Sequence, residues 1–209
     1  MFGEHELREG SIELPGETIM LEKEGEFYRY RRGDVERIIV GGEVLRILPA
    51  PAVGYGVKLL MIRLAEPLAV PPGGNVEGFL SAPVEVEVKV ENLSIDRFSI
   101  SREKYALYGT LEAGVIARYY KSRFWREEPP DPGVVKLKVI NPSNDWRLLE
   151  RVVFPLSGPM FYSREKAYYP LITVSLKKDV EVVNTGKAPL PGLKAASEER
   201  HQLKFMMRW

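Results

Sequence analysis

Apolar and polar residues alternate along much of this chain. Val84-Glu85-Val86-Glu87-Val88-Lys89-Val90 sets four valines on one face and charged residues on the other, the pattern of a strand with one buried side and Glu85 and Glu87 on the solvent side. Val135-Lys136-Leu137-Lys138-Val139 and Ile172-Thr173-Val174-Ser175-Leu176 repeat it, and Tyr28-Arg29-Tyr30-Arg31 does so with aromatic residues. Runs of this kind predict strands near 17–23, 26–32, 35–40, 43–48, 58–65, 84–91, 113–121, 134–141, 147–154, 170–177 and 180–183. The 16 prolines and 18 glycines fall mainly between the runs, where turns are needed. The fold class predicted is all-β, with at most one or two short helices.

The pattern also repeats at long range. Leu59 through Gly74 aligns without gaps on Leu171 through Gly186, and the pairs 59/171, 60/172, 62/174, 64/176, 68/180 and 70/182 are all apolar. This predicts two sandwich-like antiparallel β units, 1–80 and 81–209, related by an internal duplication and joined through Pro71-Pro72-Gly73-Gly74-Asn75 to Ala82-Pro83. One larger sandwich of doubled topology would leave the same trace. Two segments depart from the strand pattern. Ser101 through Tyr108, closed by Gly109, fits a two-turn helix with an N-cap serine and a following glycine. At the C-terminus, Leu203, Phe205, Met207 and Trp209 alternate with polar residues and Met206, which predicts a strand added to a sheet edge of this chain or of a second copy.

Composition removes several chemistries. Cysteine is absent, which excludes disulfides, thiolate metal sites and cysteine nucleophiles, and the only histidines are His5 and His201. Glu dominates the acids and Gln occurs once, a thermophile-like profile. The segment Met1 to Glu6 is acidic, and no apolar run approaches the roughly 18 residues of a membrane span. A soluble cytoplasmic protein is the expectation. Net charge is +1, but residues 1–80 hold 9 basic and 13 acidic residues, and residues 81–209 hold 21 basic and 16 acidic. Segment 97–126 alone carries seven cations against Glu103 and Glu112, so the basic excess of the second part is concentrated there.

Candidate chemistry therefore centres on that segment. Arg118-Tyr119-Tyr120-Lys121-Ser122-Arg123-Phe124-Trp125-Arg126 interleaves cations with aromatic rings. Arginine offers paired donors to phosphate or carboxylate, and aromatic rings offer stacking surfaces. The candidate binding residues are Arg102, Lys104, Tyr105, Tyr108, Arg118, Tyr120, Lys121, Arg123 and Trp125. In a sandwich the competing role for such aromatics is core packing with Arg and Lys stems laid over them. No phosphate loop, dinucleotide fingerprint, zinc-protease motif or nucleophile elbow is present, so the sequence names no catalytic residue, metal ligand or cofactor.

The run Lys104-Tyr105-Ala106-Leu107-Tyr108-Gly109, followed by Gly114-Val115-Ile116-Ala117-Arg118-Tyr119-Tyr120, resembles an archaeal family catalogued as domain of unknown function 432. The resemblance spans about 84–125 and implies an archaeal source. It assigns no activity, so no residue role is carried over. The function expected first is a non-enzymatic binding or assembly module using the 97–126 surface, with a protein partner or self-association through the C-terminal strand. The alternatives are an enzyme acting on a small anionic substrate and a weak nucleic-acid binder. The near-neutral net charge disfavours tight nucleic-acid binding.

Overall fold

Twenty strands and no helix make up the described part of the chain. The architecture comes from a computed structural model, which describes residues 1–197 and 203–207. The first half supplies β1 (Gly3–Glu6), β2 (Gly10–Leu14), β3 (Glu17–Glu24), β4 (Phe27–Arg32), β5 (Val35–Val40), β6 (Val44–Pro51), β7 (Leu59–Val70), β8 (Asn75–Ser81), β9 (Val84–Val90) and β10 (Leu93–Ser99). The second supplies β11 (Tyr105–Tyr108), β12 (Val115–Ser122), β13 (Gly133–Ile140), β14 (Arg147–Pro155), β15 (Phe161–Tyr162), β16 (Ala167–Tyr168), β17 (Ile172–Leu176), β18 (Val180–Asn184), β19 (Lys194–Ala195) and β20 (Leu203–Met207).

Four sheets result. One runs β1-β6-β9-β10, one is the antiparallel meander β2-β3-β4-β5, and one runs β11-β12-β7-β14. The fourth and largest runs β19-β15-β16-β13-β17-β18-β20, with β8 on the other flank of β13. Most pairs are antiparallel, but β12 lies parallel to β7, and β13 lies parallel to β16 and β17. Alternation explains the core. Val84, Val86, Val88 and Val90 of β9 are buried, as are Leu137 and Val139 of β13 and Ile172, Val174 and Leu176 of β17. Each large apolar side chain taken from water contributes roughly 1.5–3 kcal/mol. One continuous cluster joins residues from all four sheets, including Ile19 and Leu21, Leu45 and Ile47, Leu60 and Ile62, and Val174 and Val182.

Pairing crosses the expected boundary at 80/81. β6 pairs with β9, β7 with β12 and β14, and β8 with β13. Residues 75–81, expected in a joint between two units, form a full strand inside the largest sheet. The repeat is likewise not repeated in the chain path. Leu59–Val70 is one strand, whereas the aligned 171–182 turns at 177–179 into the β17–β18 hairpin. Pattern similarity reflects the shared need for a buried face and does not fix which strand lies alongside.

The helix expected at 101–109 is absent. Residues 101–104 are irregular and Tyr105–Tyr108 pairs antiparallel with β12, where Tyr105 and Arg118 face each other across the ladder and share a partly buried polar network. Glu85 also departs from expectation. It is 4% exposed, accepting bonds from the Gly54 amide at 2.6 Å and from Arg97 Nε at 2.7 Å, so β9 is covered on both faces at this point. The C-terminal strand pairs with β18 of its own chain, and Met207 is buried with its sulfur 3.2 Å from the Val153 amide. Trp209, the last residue of the predicted strand, lies outside the described residues. None of the described residues forms a helix long and apolar enough to cross a membrane.

Candidate functional site

Side chains on a strand alternate between faces, so β12 divides the basic aromatic stretch in two. Arg118, Tyr120 and Ser122 point inward. Arg118 has no exposed surface and lies in one cross-strand row with Tyr105, Leu60 and Phe154. Its guanidinium donates to the Tyr105 hydroxyl at 3.1 Å and to Ser99 Oγ at 3.0 Å, and Glu103 lies 3.5 Å away. Tyr105 in turn donates to Glu103 at 2.9 Å, and burial together with that carboxylate pushes its pKa up. Burial and the nearby Asp131 do the same at Tyr120. The Arg118 network holds the 99–105 segment against the core. It is a structural feature on the inner side of the sheet.

Tyr119 and Lys121 point outward, and there the register assembles a different group. Lys121 of β12 is the partner of Arg63 of β7, and Arg63 is the partner of Arg151 of β14. Three cations thus stand side by side across three adjacent strands. Like charges placed opposite each other in a sheet are destabilising. Neither Arg63 nor Lys121 forms an ion pair with a carboxylate among the described residues. Arg151 lies over the Tyr108 ring, 6.0 Å from its centroid, and Tyr108 packs on Phe205 of β20 at 5.9 Å.

A break in the β7–β14 ladder makes this face concave. Arg63 pairs with Arg151 and Leu68 with Leu149, so residues 64–67 of β7 lie opposite Glu150 alone. Pro67 falls in that stretch and has no N–H to give a ladder, which is where a strand tolerates proline. Such irregularities re-aim side chains. Glu150 here lines two adjoining hollows, of about 290 and 320 Å³, together with Arg63 and Tyr119. Lys121 lines the first, and Met61, Ala106 and Arg151 line the second.

Of the nine residues expected from sequence, only Lys121 lines these hollows. Arg118, Tyr105 and Tyr120 lie on the inner side, and Tyr108 supports Arg151 from below. Arg102, Lys104 and Arg123 are exposed and line neither hollow. Trp125 is bridged to Phe79 through paired backbone bonds of 2.8 and 2.9 Å, which pins the following segment to β8. Sequence reasoning missed Tyr119, Arg63, Glu150 and Arg151. The available signal was period two within β12, which separates Tyr119 and Lys121 from Tyr120, whereas Pro67 lay beyond the strand predicted at 58–65.

No group of three or more acidic or histidine side chains suited to a metal ion occurs among the described residues. The family model described as protein of unknown function (DUF432) matches residues 1–208, so the chain belongs to that family. No curated protein and no solved structure matches it.

Proposed function

We propose that this member of the DUF432 family is a non-enzymatic binding module that captures an anionic ligand or partner on the outer face of the β11-β12-β7-β14 sheet. The reading is carried by one observation, the row Lys121–Arg63–Arg151 in register across three strands. Three aligned cations with no ion pair among the described residues repel one another, whereas a bound anion turns their repulsion into attraction. Catalysis has less support. Glu150, the only carboxylate among the described residues lining the two hollows, is exposed to water and lacks the dry setting that acid–base work favours. A cytoplasmic and archaeal setting, as expected from the sequence, belongs to the same proposal.

The test is thermal unfolding of the full chain with added inorganic pyrophosphate, at constant ionic strength. The melting temperature is expected to rise with pyrophosphate, and the rise is expected to vanish in the Arg63→Thr, Lys121→Thr double variant. An equal rise in both proteins would remove the proposal, as would no response to any anion tried.

A further inference from the structure

We infer that the two adjoining hollows hold a small molecule with two linked phosphates attached to a ring-bearing group, of the nucleoside diphosphate class. The inference rests on the proposed anion-binding role of this face and narrows it to a ligand. Neighbouring strands stand about 4.8 Å apart, so Lys121, Arg63 and Arg151 leave the backbone in one row with two gaps between them, and the Arg151 guanidinium extends from its end of the row over the Tyr108 ring. Arg63 borders both gaps, and its planar fork can donate to an oxygen on either side. A single phosphate fills one gap and leaves the other pair of cations opposed. Two linked phosphates fill both.

The surroundings select against a bare polyphosphate. Glu150 opens onto both hollows and, when ionised, its carboxylate only accepts hydrogen bonds. It repels a phosphate oxygen and needs a donor, such as a sugar hydroxyl or a ring amine. Beyond the cations the second hollow continues over Met61 and Ala106 beside the half-buried Tyr119 ring. That floor is apolar and suits a flat ring stacked against tyrosine. Each hollow is close to the lower end of the roughly 300–1,000 Å³ range of small-molecule sites, and the two share Arg63, Tyr119 and Glu150.

Isothermal titration of the full chain with ADP, AMP, adenosine and pyrophosphate tests this, with melting curves checking that each variant is folded. ADP should bind about tenfold or more tighter than pyrophosphate, the scale of one base–aromatic stack, and tighter than AMP, whose single phosphate fills one gap. Tyr119→Ala should bring ADP down to the level of pyrophosphate. Glu150→Gln should weaken ADP and strengthen pyrophosphate. Pyrophosphate binding as tightly as ADP, or an ADP-to-pyrophosphate ratio unmoved by both substitutions, overturns the inference and leaves the anion-binding role standing. Binding of a single-stranded oligonucleotide that depends on Arg63, with no response to ADP, does the same. Failure of every anion to bind removes both.

Discussion

Arg63 and Arg151 sit opposite one another on antiparallel strands, next to the point where the ladder breaks around Glu150. Two cations in that relationship work against the fold, and Lys121 on the far side of Arg63 adds to the cost.

Replacing Arg63 by Thr should therefore stabilise the protein. The expected gain is about 0.2–1 kcal/mol in urea unfolding at low salt, shrinking as salt screens the charges. The same variant should lose its response to pyrophosphate. A stability gain coupled to a binding loss distinguishes a site from a structural cluster, and a destabilised Arg63→Thr protein would count against the site.

Arg118 should behave in the opposite way. It is a buried cation whose removal takes one donor from the Tyr105 hydroxyl and one from Ser99 Oγ, which keep their bonds to Glu103 and Ser101, and opens a void beside Leu60 and Phe154. Arg118→Ala should cost about 2–5 kcal/mol, the scale of a large buried side chain cut back to Ala, whereas Arg123→Ala, at an exposed position, should stay within about 0.5 kcal/mol. Comparable losses from the two would contradict the assignment of Arg118 to the core network.

Gly54 tests the same network from the other side. Its φ is +48°, and a Cβ there would land on the Tyr105 hydroxyl. Gly54→Ala should destabilise by more than the roughly 1–2 kcal/mol of left-handed backbone strain. Tyr105→Phe removes the clashing oxygen and should recover part of the excess. In a double-mutant cycle the two changes should be non-additive, and additive effects would show that Gly54 and Tyr105 do not meet.

Alkaline pH should unfold the protein through its buried tyrosines. Tyr168 donates to Glu128 at 2.8 Å, and burial with that carboxylate holds its pKa up at about 12. Burial raises Tyr169 and Tyr30 as well, with Asp96 adding to the effect at Tyr30. The folded state keeps protons that the unfolded chain releases near pH 10. The stabilising contribution of Tyr168 is fully present below about pH 10 and is lost as pH rises through about 12, and Tyr169 and Tyr30 act in the same direction. Urea unfolding as a function of pH should show that decline, with tyrosinate absorbance rising as unfolding occurs, and Tyr168→Phe should make it shallower.

Removing residues 203–209 should lower the melting temperature without changing the solution mass. β20 pairs with β18 of the same chain, and Met207 is buried against Val153, a contact of the kind that contributes roughly 1.5–3 kcal/mol. A drop in mass would instead place the strand in a partner copy.

The strands were legible in the sequence because a half-buried strand must alternate. Residues 84–90, 135–139 and 172–176 announce themselves in this way, and the edge-seeking tail does too. Residues 75–81 did not, since the flanking Pro71-Pro72-Gly73-Gly74 and Ala82-Pro83 read as a joint, and only a partner, β13, makes a strand of them. Period two also says that Tyr119 and Lys121 share one side of β12 while Arg118 and Tyr120 share the other. It does not say which side is buried. The tertiary structure decided that, because Tyr105, Ser99 and Glu103 supply the partners that let a cation lie in the core. It also set Arg63 and Arg151 beside Lys121. They come from separate strands whose register depends on long-range pairing, and a local pattern constrains which face is apolar without choosing the neighbour across the ladder.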